Sequence, residues 1–204
     1  MGREHTCEAS YNGERGEGNA LLETDEVIFR GGFRARVKFS AVARITVRAG
    51  ALSLKTADGT LTLHLGEYAE QWAEKIRNPP SRIEKLGVKS GLSVSVLGLD
   101  DDEAFLDELR ERTAKITTGR AAPHSDIIVV HIRRESDLRR LDRIKASLTP
   151  DGAIWTIRQK GKDGVSENAV RAAGLAAGLV DVKVARFSDT HTAEKFVIPK
   201  AKRR

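Results

Sequence analysis

The residues best placed to do chemistry in this chain are cations. The segment Arg158-Gln159-Lys160-Gly161-Lys162-Asp163-Gly164-Val165-Ser166 sets three of them and two glycines just before a helical pattern whose N-cap is Ser166. A helix start with nearby Lys or Arg attracts anions through its free amides and its dipole. Arg158, Lys160, Lys162, Gly164 and Ser166 are therefore expected to hold a phosphate or carboxylate; a solvated surface loop is the plainer alternative. In an open α/β sheet, ligands sit beyond the carboxyl ends of the strands. That rule also selects Gly98 to Asp101, and His131 with Arg133 and Arg134. His131 ends an apolar run and is expected to be a hydrogen-bonded structural histidine rather than a general base. Asp189 and His191 could form an acid/base pair, although a turn-forming Asp beside an exposed His explains them equally well.

Several chemistries are excluded. No Cys/His/Asp/Glu group has metal-ligand spacing, and neither a Gly-x-Ser-x-Gly elbow nor a Walker loop is present. The lone Cys7 rules out an internal disulfide and is expected to be a partly buried bystander in a first strand. No apolar run approaches the ~20 residues that cross a bilayer, and no signal-peptide core follows Met1. A cytoplasmic protein is expected.

Residues 1–80 are electrically balanced, with 11 Lys/Arg against 11 Asp/Glu, so the net +6 resides in residues 81–204. Four of those charges sit in Lys200-Ala201-Lys202-Arg203-Arg204, a basic tail expected to be solvated. Arg139, Arg140, Arg143 and Lys145 are expected on the wet side of a helix whose packed face is Leu138, Leu141, Ile144 and Leu148. Arg30, Arg34, Arg36 and Lys38 flank the Gly31-Gly32 turn. Contact with nucleic acid or a membrane through these groups is expected to be weak, and aromatics at 5% are too few for a base-stacking platform.

Two domains must position these groups, 1–78 and 84–199, with a linker at 79–83 around Pro79-Pro80 and the tail at 200–204. The first half alternates apolar and polar residues, as in Leu61-Thr62-Leu63-His64-Leu65, and predicts seven short strands separated by turns such as Ala49-Gly50 and Asp58-Gly59. A helix over 66–77 follows, with Tyr68, Trp72 and Ile76 on one stripe. The second half alternates strands (92–97, 114–118, 126–132, 153–158, 181–187, 193–198) with helices (101–114, 136–148, 167–177). Leu148 to Gly152 is expected to be a turn between a helix and a strand.

Seven strands closed by one helix resemble the pleckstrin-homology/GRAM-like fold, an α+β small β-barrel plugged by its last helix. Asp126 to Val130, Leu148-Thr149-Pro150-Asp151-Gly152-Ala153-Ile154-Trp155 and Ala173 to Val182 are similar to the fourth strand, the Leu-x-Pro-Gly-Gly turn and the entry to the sixth strand of class I S-adenosylmethionine-dependent methyltransferases. Residues 81–199 also resemble a bacterial family, a domain of unknown function, built on a shortened Rossmann-like sheet of that type. The resemblance implies a cofactor site at Gly98 and Asp100, and an acidic residue ending the second strand. However, only 28 residues separate Leu97 from Asp126, whereas one crossover unit takes ~30. At least one βα unit is therefore lost. The reading is of a non-catalytic ligand-binding or scaffolding protein that needs no cofactor. S-adenosylmethionine-dependent methyl transfer is the alternative, and peripheral nucleic-acid or lipid binding a third.

Overall fold

The computed structural model describes residues 3–203. The chain forms two compact units that meet in sequence at Pro80-Ser81.

The first unit is one antiparallel sheet. Its strands are β1 (Arg3–Tyr11), β2 (Glu14–Leu22), β3 (Glu26–Gly31), β4 (Arg34–Lys38), β5 (Arg44–Arg48), β6 (Ala51–Lys55) and β7 (Thr60–His64). They lie in the order β4-β3-β2-β1-β7-β6-β5. Asn12 and Gly13, both at positive φ, turn β1 into β2, a hairpin signal that sequence reasoning passed over. Alternation puts Phe29, Leu52, Leu54, Leu61 and Leu63 on one buried face. Helix α1 (Tyr68–Arg77) lays Ala69, Trp72, Ala73 and Ile76 on the same core. Each large side chain buried there contributes about 1.5–3 kcal/mol. Two expectations change. Strands β4 and β5 remain edges, so hydrogen bonding does not close the sheet into a barrel. Tyr68 leaves the stripe: it is 42% exposed, with its ring 4.9 Å from that of His5.

The second unit is a mixed sheet covered on both faces. Its elements are α2 (Arg82–Leu86), β8 (Val94–Leu97), α3 (Glu103–Arg112), β9 (Ile116–Thr118), β10 (Ser125–Ile132), α4 (Arg140–Lys145), β11 (Leu148–Gln159), α5 (Glu167–Ala176), β12 (Val180–Arg186) and β13 (His191–Val197). The order is β12-β13-β11-β10-β8-β9, with β9, β8, β10 and β11 parallel and β13 antiparallel to both its neighbours. A mostly parallel sheet ending in an antiparallel hairpin is what the methyltransferase resemblance implied. The apolar run of β10 serves two cores. Ile127 and Val129 pack with Phe105, Leu109 and Trp155, while Ile128 and Val130 pack with Leu141, Ile144, Val170 and Phe196.

The short gap after Leu97 is now explained. Strand β9 survives in three residues, and residues 119–124 lead straight back to β10. Buried hydroxyls hold this link. The Ala122 amide donates to Ser95 Oγ (2.9 Å), and Ser125 Oγ donates to the Ala122 carbonyl (2.6 Å). Each hydroxyl has one proton, so the 2.8 Å contact between the two serines runs from Ser95 to Ser125.

Four further expectations are corrected. The Leu148–Gly152 turn is part of β11: Ser125 pairs with Leu148 and Ile127 with Ala153, so Thr149 to Gly152 bulges opposite Asp126. A Cβ on Gly152 would stand 2.9 Å from the Asp126 carbonyl oxygen, which is why a glycine closes the bulge. The linker at 79–83 instead runs into α2, whose Ser81 and Glu84 form a capping box. The Trp155 indole donates to the Leu86 carbonyl at that helix's end (2.8 Å). The helix expected over 136–148 is a 3-10 turn, Glu135–Arg139, followed by the short α4. In the basic tail, Arg203 donates to Asp151 (2.7 Å) and to the Ile198 carbonyl, so it is anchored rather than solvated; Arg204 lies outside the described residues.

Candidate functional site

The loop Arg158 to Ser166 does not gather its residues on one ligand position. Arg158 is buried on β11, with Nε 2.6 Å from Glu194 Oε1 on β13 and Nη2 3.6 Å from Glu167. Its charge is matched internally. Lys160 Nζ donates to the carbonyls of Ser188 (2.9 Å) and Asp189 (3.3 Å), bracing the β12–β13 turn. The Ser166 hydroxyl accepts the Ala169 amide as the N-cap of α5, and Glu167 places a carboxylate at that same helix start. Gly164 is packed against Gln159, and Lys162 is exposed. The sequence offered no sign of Glu194, which reaches Arg158 only through the register of β11 with β13.

The second set of candidates does converge. The strand order reverses between β8 and β10, and such a switch point opens a crevice beyond the carboxyl ends. Gly98, at φ +73, bends the chain away from β8 there. Its carbonyl accepts from Arg133 Nη2 (3.1 Å) and lies 3.1 Å from His131 Nδ1. Arg133 Nε is also 3.2 Å from that nitrogen, so Nδ1 can donate to Gly98 or accept from Arg133, but not both. His131 is thus the hydrogen-bonded histidine expected. Burial, with the neighbouring Arg133 and His191 charges, holds its pKa below the ordinary histidine value against the opposing pull of Gly98 and Asp101. The ring of His191 stands 5.3 Å away, edge to face. Asp189, which could have been its acid/base partner or simply a turn-forming residue, is ion-paired with Arg186.

Asp137 organises the rest. It is 8% exposed, and its Oδ2 accepts the amides of Arg133 (3.1 Å) and Arg134 (3.2 Å). Its Oδ1 lies 3.9 Å from Arg134 and 3.7 Å from Arg140. One buried carboxylate therefore turns the chain after β10 and aims two guanidinium groups into the crevice. Arg133 also lies 3.6 Å from Asp101; Asp100 is exposed beside it. Gly98, His131, Arg133, Arg134, Asp137 and Arg140 line a cavity of about 470 Å³. A neighbouring cavity of about 490 Å³ is lined by Arg120, Arg140 and Arg143 over Leu97, Ala121 and Ile144. Among the described residues, the side chains of Arg120 and Arg143 make no ion pair or hydrogen bond. Arg120, two residues past β9, went unnoticed in the sequence because only the lost βα unit brings it against α4. The described residues hold no metal-ligating cluster and no helix long and apolar enough to cross a membrane. Cys7 is buried, and burial raises its thiol pKa.

No protein-family model matches the chain, and no curated protein does. Solved structures to which the chain is similar include S-adenosylmethionine-dependent methyltransferases. One from Aquifex aeolicus is 15% identical, with a TM-score of 0.45 over 57% of this chain and 87% of its own. A TehB-like enzyme from Corynebacterium glutamicum is 14% identical, with a TM-score of 0.42 over 65% of this chain and 96% of its own. Magnesium protoporphyrin IX methyltransferase from Synechocystis, solved with S-adenosylhomocysteine bound, is 10% identical, with a TM-score of 0.40 over 57% and 78%.

Proposed function

We propose that the α/β unit binds a phosphate-bearing small anion in the crevice beyond β8 and β10, and that its role is binding rather than catalysis. The observation that carries this reading is the ring of Arg120, Arg133, Arg134, Arg140 and Arg143 around the two adjoining cavities. Among the described residues, only Asp101 and Asp137 are paired with these arginines. A concave surface lined by an excess of one sign of charge concentrates ligands of the other sign. Guanidinium forks suit phosphate oxygens. A binding role is favoured because the lining histidine, His131, is held between Gly98 and Arg133.

Methyl transfer is the second reading, favoured by the bend at Gly98 where the family places its cofactor loop. The residues here fit S-adenosylmethionine poorly. Strand β9 ends at Thr118 and Gly119-Arg120 follows it, a cation where the family pattern has the carboxylate for the ribose hydroxyls, and the cofactor's sulfonium is itself positive. The first unit, by its strand order and α1, supports a pleckstrin-homology-like scaffolding module. Its charges balance, and Arg36 of the basic hairpin is paired with Glu26 at 2.8 Å, which does not favour lipid binding.

Calorimetric titration of the full chain with pyrophosphate, S-adenosylmethionine and S-adenosylhomocysteine tests the choice. Pyrophosphate should bind, more weakly as salt rises, and the two adenosyl compounds should give no heat. Micromolar binding of S-adenosylhomocysteine with none of pyrophosphate would replace the anion reading with methyl transfer.

A further inference from the structure

We infer that the ligand is bis-anionic, a diphosphate or a diphosphate ester, seating one anionic group in each of the two cavities with Arg140 between them. This rests on the anion reading of the same crevice. The two cavities share Arg140, which opens α4, and Arg143 follows it at i+3 on the same helix face.

Their charges differ in a way that calls for two groups rather than one. In the first cavity Arg133, Arg134 and Arg140 meet Asp101 and Asp137. Asp137 is already committed to two backbone amides, and one further anion completes the balance. In the second cavity Arg120 and Arg143 meet no lining carboxylate at all. The acid that α4 carries, Asp142, is ion-paired with Lys145 at 3.5 Å. A single phosphate placed in either cavity leaves the other's cations facing each other. The apolar floor of the second cavity, Leu97, Ala121 and Ile144, gives room for the carbon end of an ester, while neither lining includes Phe, Tyr or Trp on which a base would stack. The recognised chemistry is thus the diphosphate itself, supplied either as the free ion or by a nucleoside diphosphate.

Titrating the full chain at low salt with phosphate, pyrophosphate and ADP tests this, alongside the exposed-residue variants Arg134→Gln, Arg143→Gln and, as a control outside both linings, Arg139→Gln. Pyrophosphate should bind about tenfold or more tighter than phosphate, since the second group binds at the high effective concentration set by the first. Arg134→Gln and Arg143→Gln should each weaken pyrophosphate about fivefold or more, and Arg139→Gln less than about twofold. ADP binding as tightly as pyrophosphate identifies an ester site, and weaker ADP identifies the free ion. Equal affinity for phosphate and pyrophosphate would overturn the inference. So would an Arg143→Gln variant unchanged beside an Arg134→Gln variant that no longer binds. Absence of binding by all three anions would instead defeat the anion reading beneath it.

Discussion

Replacing Arg158 with methionine should destabilise the α/β unit by about 3–5 kcal/mol, because it leaves Glu194 as an uncompensated buried charge. Glu194 is 3% exposed, and among the described residues the cation ion-paired with it is Arg158, 2.6 Å away. Even with that partner, burial holds the Glu194 pKa above the ordinary glutamate value. A typical domain is stable by about 5–15 kcal/mol, so the loss is a large fraction of the total. The double variant Arg158→Met/Glu194→Leu should recover most of it, since removing both charges also removes their desolvation. The pH dependence has a definite sign. A carboxyl whose folded pKa is raised binds more protons folded than unfolded, so stability falls as pH rises from the ordinary glutamate pKa through the folded value. Without Arg158 that folded value rises further, and the deficit should be greatest near neutrality and shrink on acidification. The two tryptophans lie one in each unit, Trp72 and Trp155, so urea unfolding read by Trp155 fluorescence in a Trp72→Phe background isolates the relevant transition. A single variant within about 1 kcal/mol of the parent at pH 7, or a double variant no better than the single, would refute the reasoning. Either result would return Arg158 to the list of ligand-binding cations.

Other expectations follow from the same geometry. Ser95→Ala should cost about 1–3 kcal/mol, since it strands the Ala122 amide and removes the donor to Ser125; a cost under a few tenths in urea unfolding would show that the link after β9 does not depend on those hydroxyls. His131, with its pKa depressed, binds fewer protons folded than unfolded, so it contributes stability above the ordinary histidine value that is lost as pH falls below it. An NMR titration should place its midpoint below about 6.5, and a midpoint above that would contradict the burial argument. Asp126 accepts the Ser93 amide (2.8 Å) and hydroxyl (2.9 Å), bonds that hold its carboxyl below the usual aspartate range. Asp126→Ala should therefore cost about 1–3 kcal/mol near neutrality and progressively less as pH falls through the carboxylate range, measured by denaturant midpoints.

The β-rich unit was legible because its strands alternate, and alternation survives folding whenever one face is buried. β10 was legible as a continuous apolar run because it is covered on both sides. The segment Pro150-Asp151-Gly152 misled because a turn and a bulge call for the same residue types; only the pairing of Leu148 with Ser125 and Ala153 with Ile127 separates them. The helix expected over 136–148 failed because Asp137 captures the amides of Arg133 and Arg134 and tightens its first turns into 3-10 geometry. At the site, His131, Arg133 and Arg134 could be named from their place at a strand end. Arg120 and Arg143 could not be paired from sequence, since their approach depends on the direct passage of residues 119–124 to β10. Arg158 looked available because its partner Glu194 is far along the chain and meets it only across the β11–β13 ladder.

The claim that the crevice beyond β8 and β10 binds an anion is tested most directly by following backbone amide resonances as pyrophosphate is added to the full chain. Saturable shifts should appear at Gly98, Gly119, Arg133, Arg134 and Arg140, with Gly161, Gly164 and Ser166 unmoved. Shifts confined to Gly161 to Ser166, or none anywhere, would contradict the account.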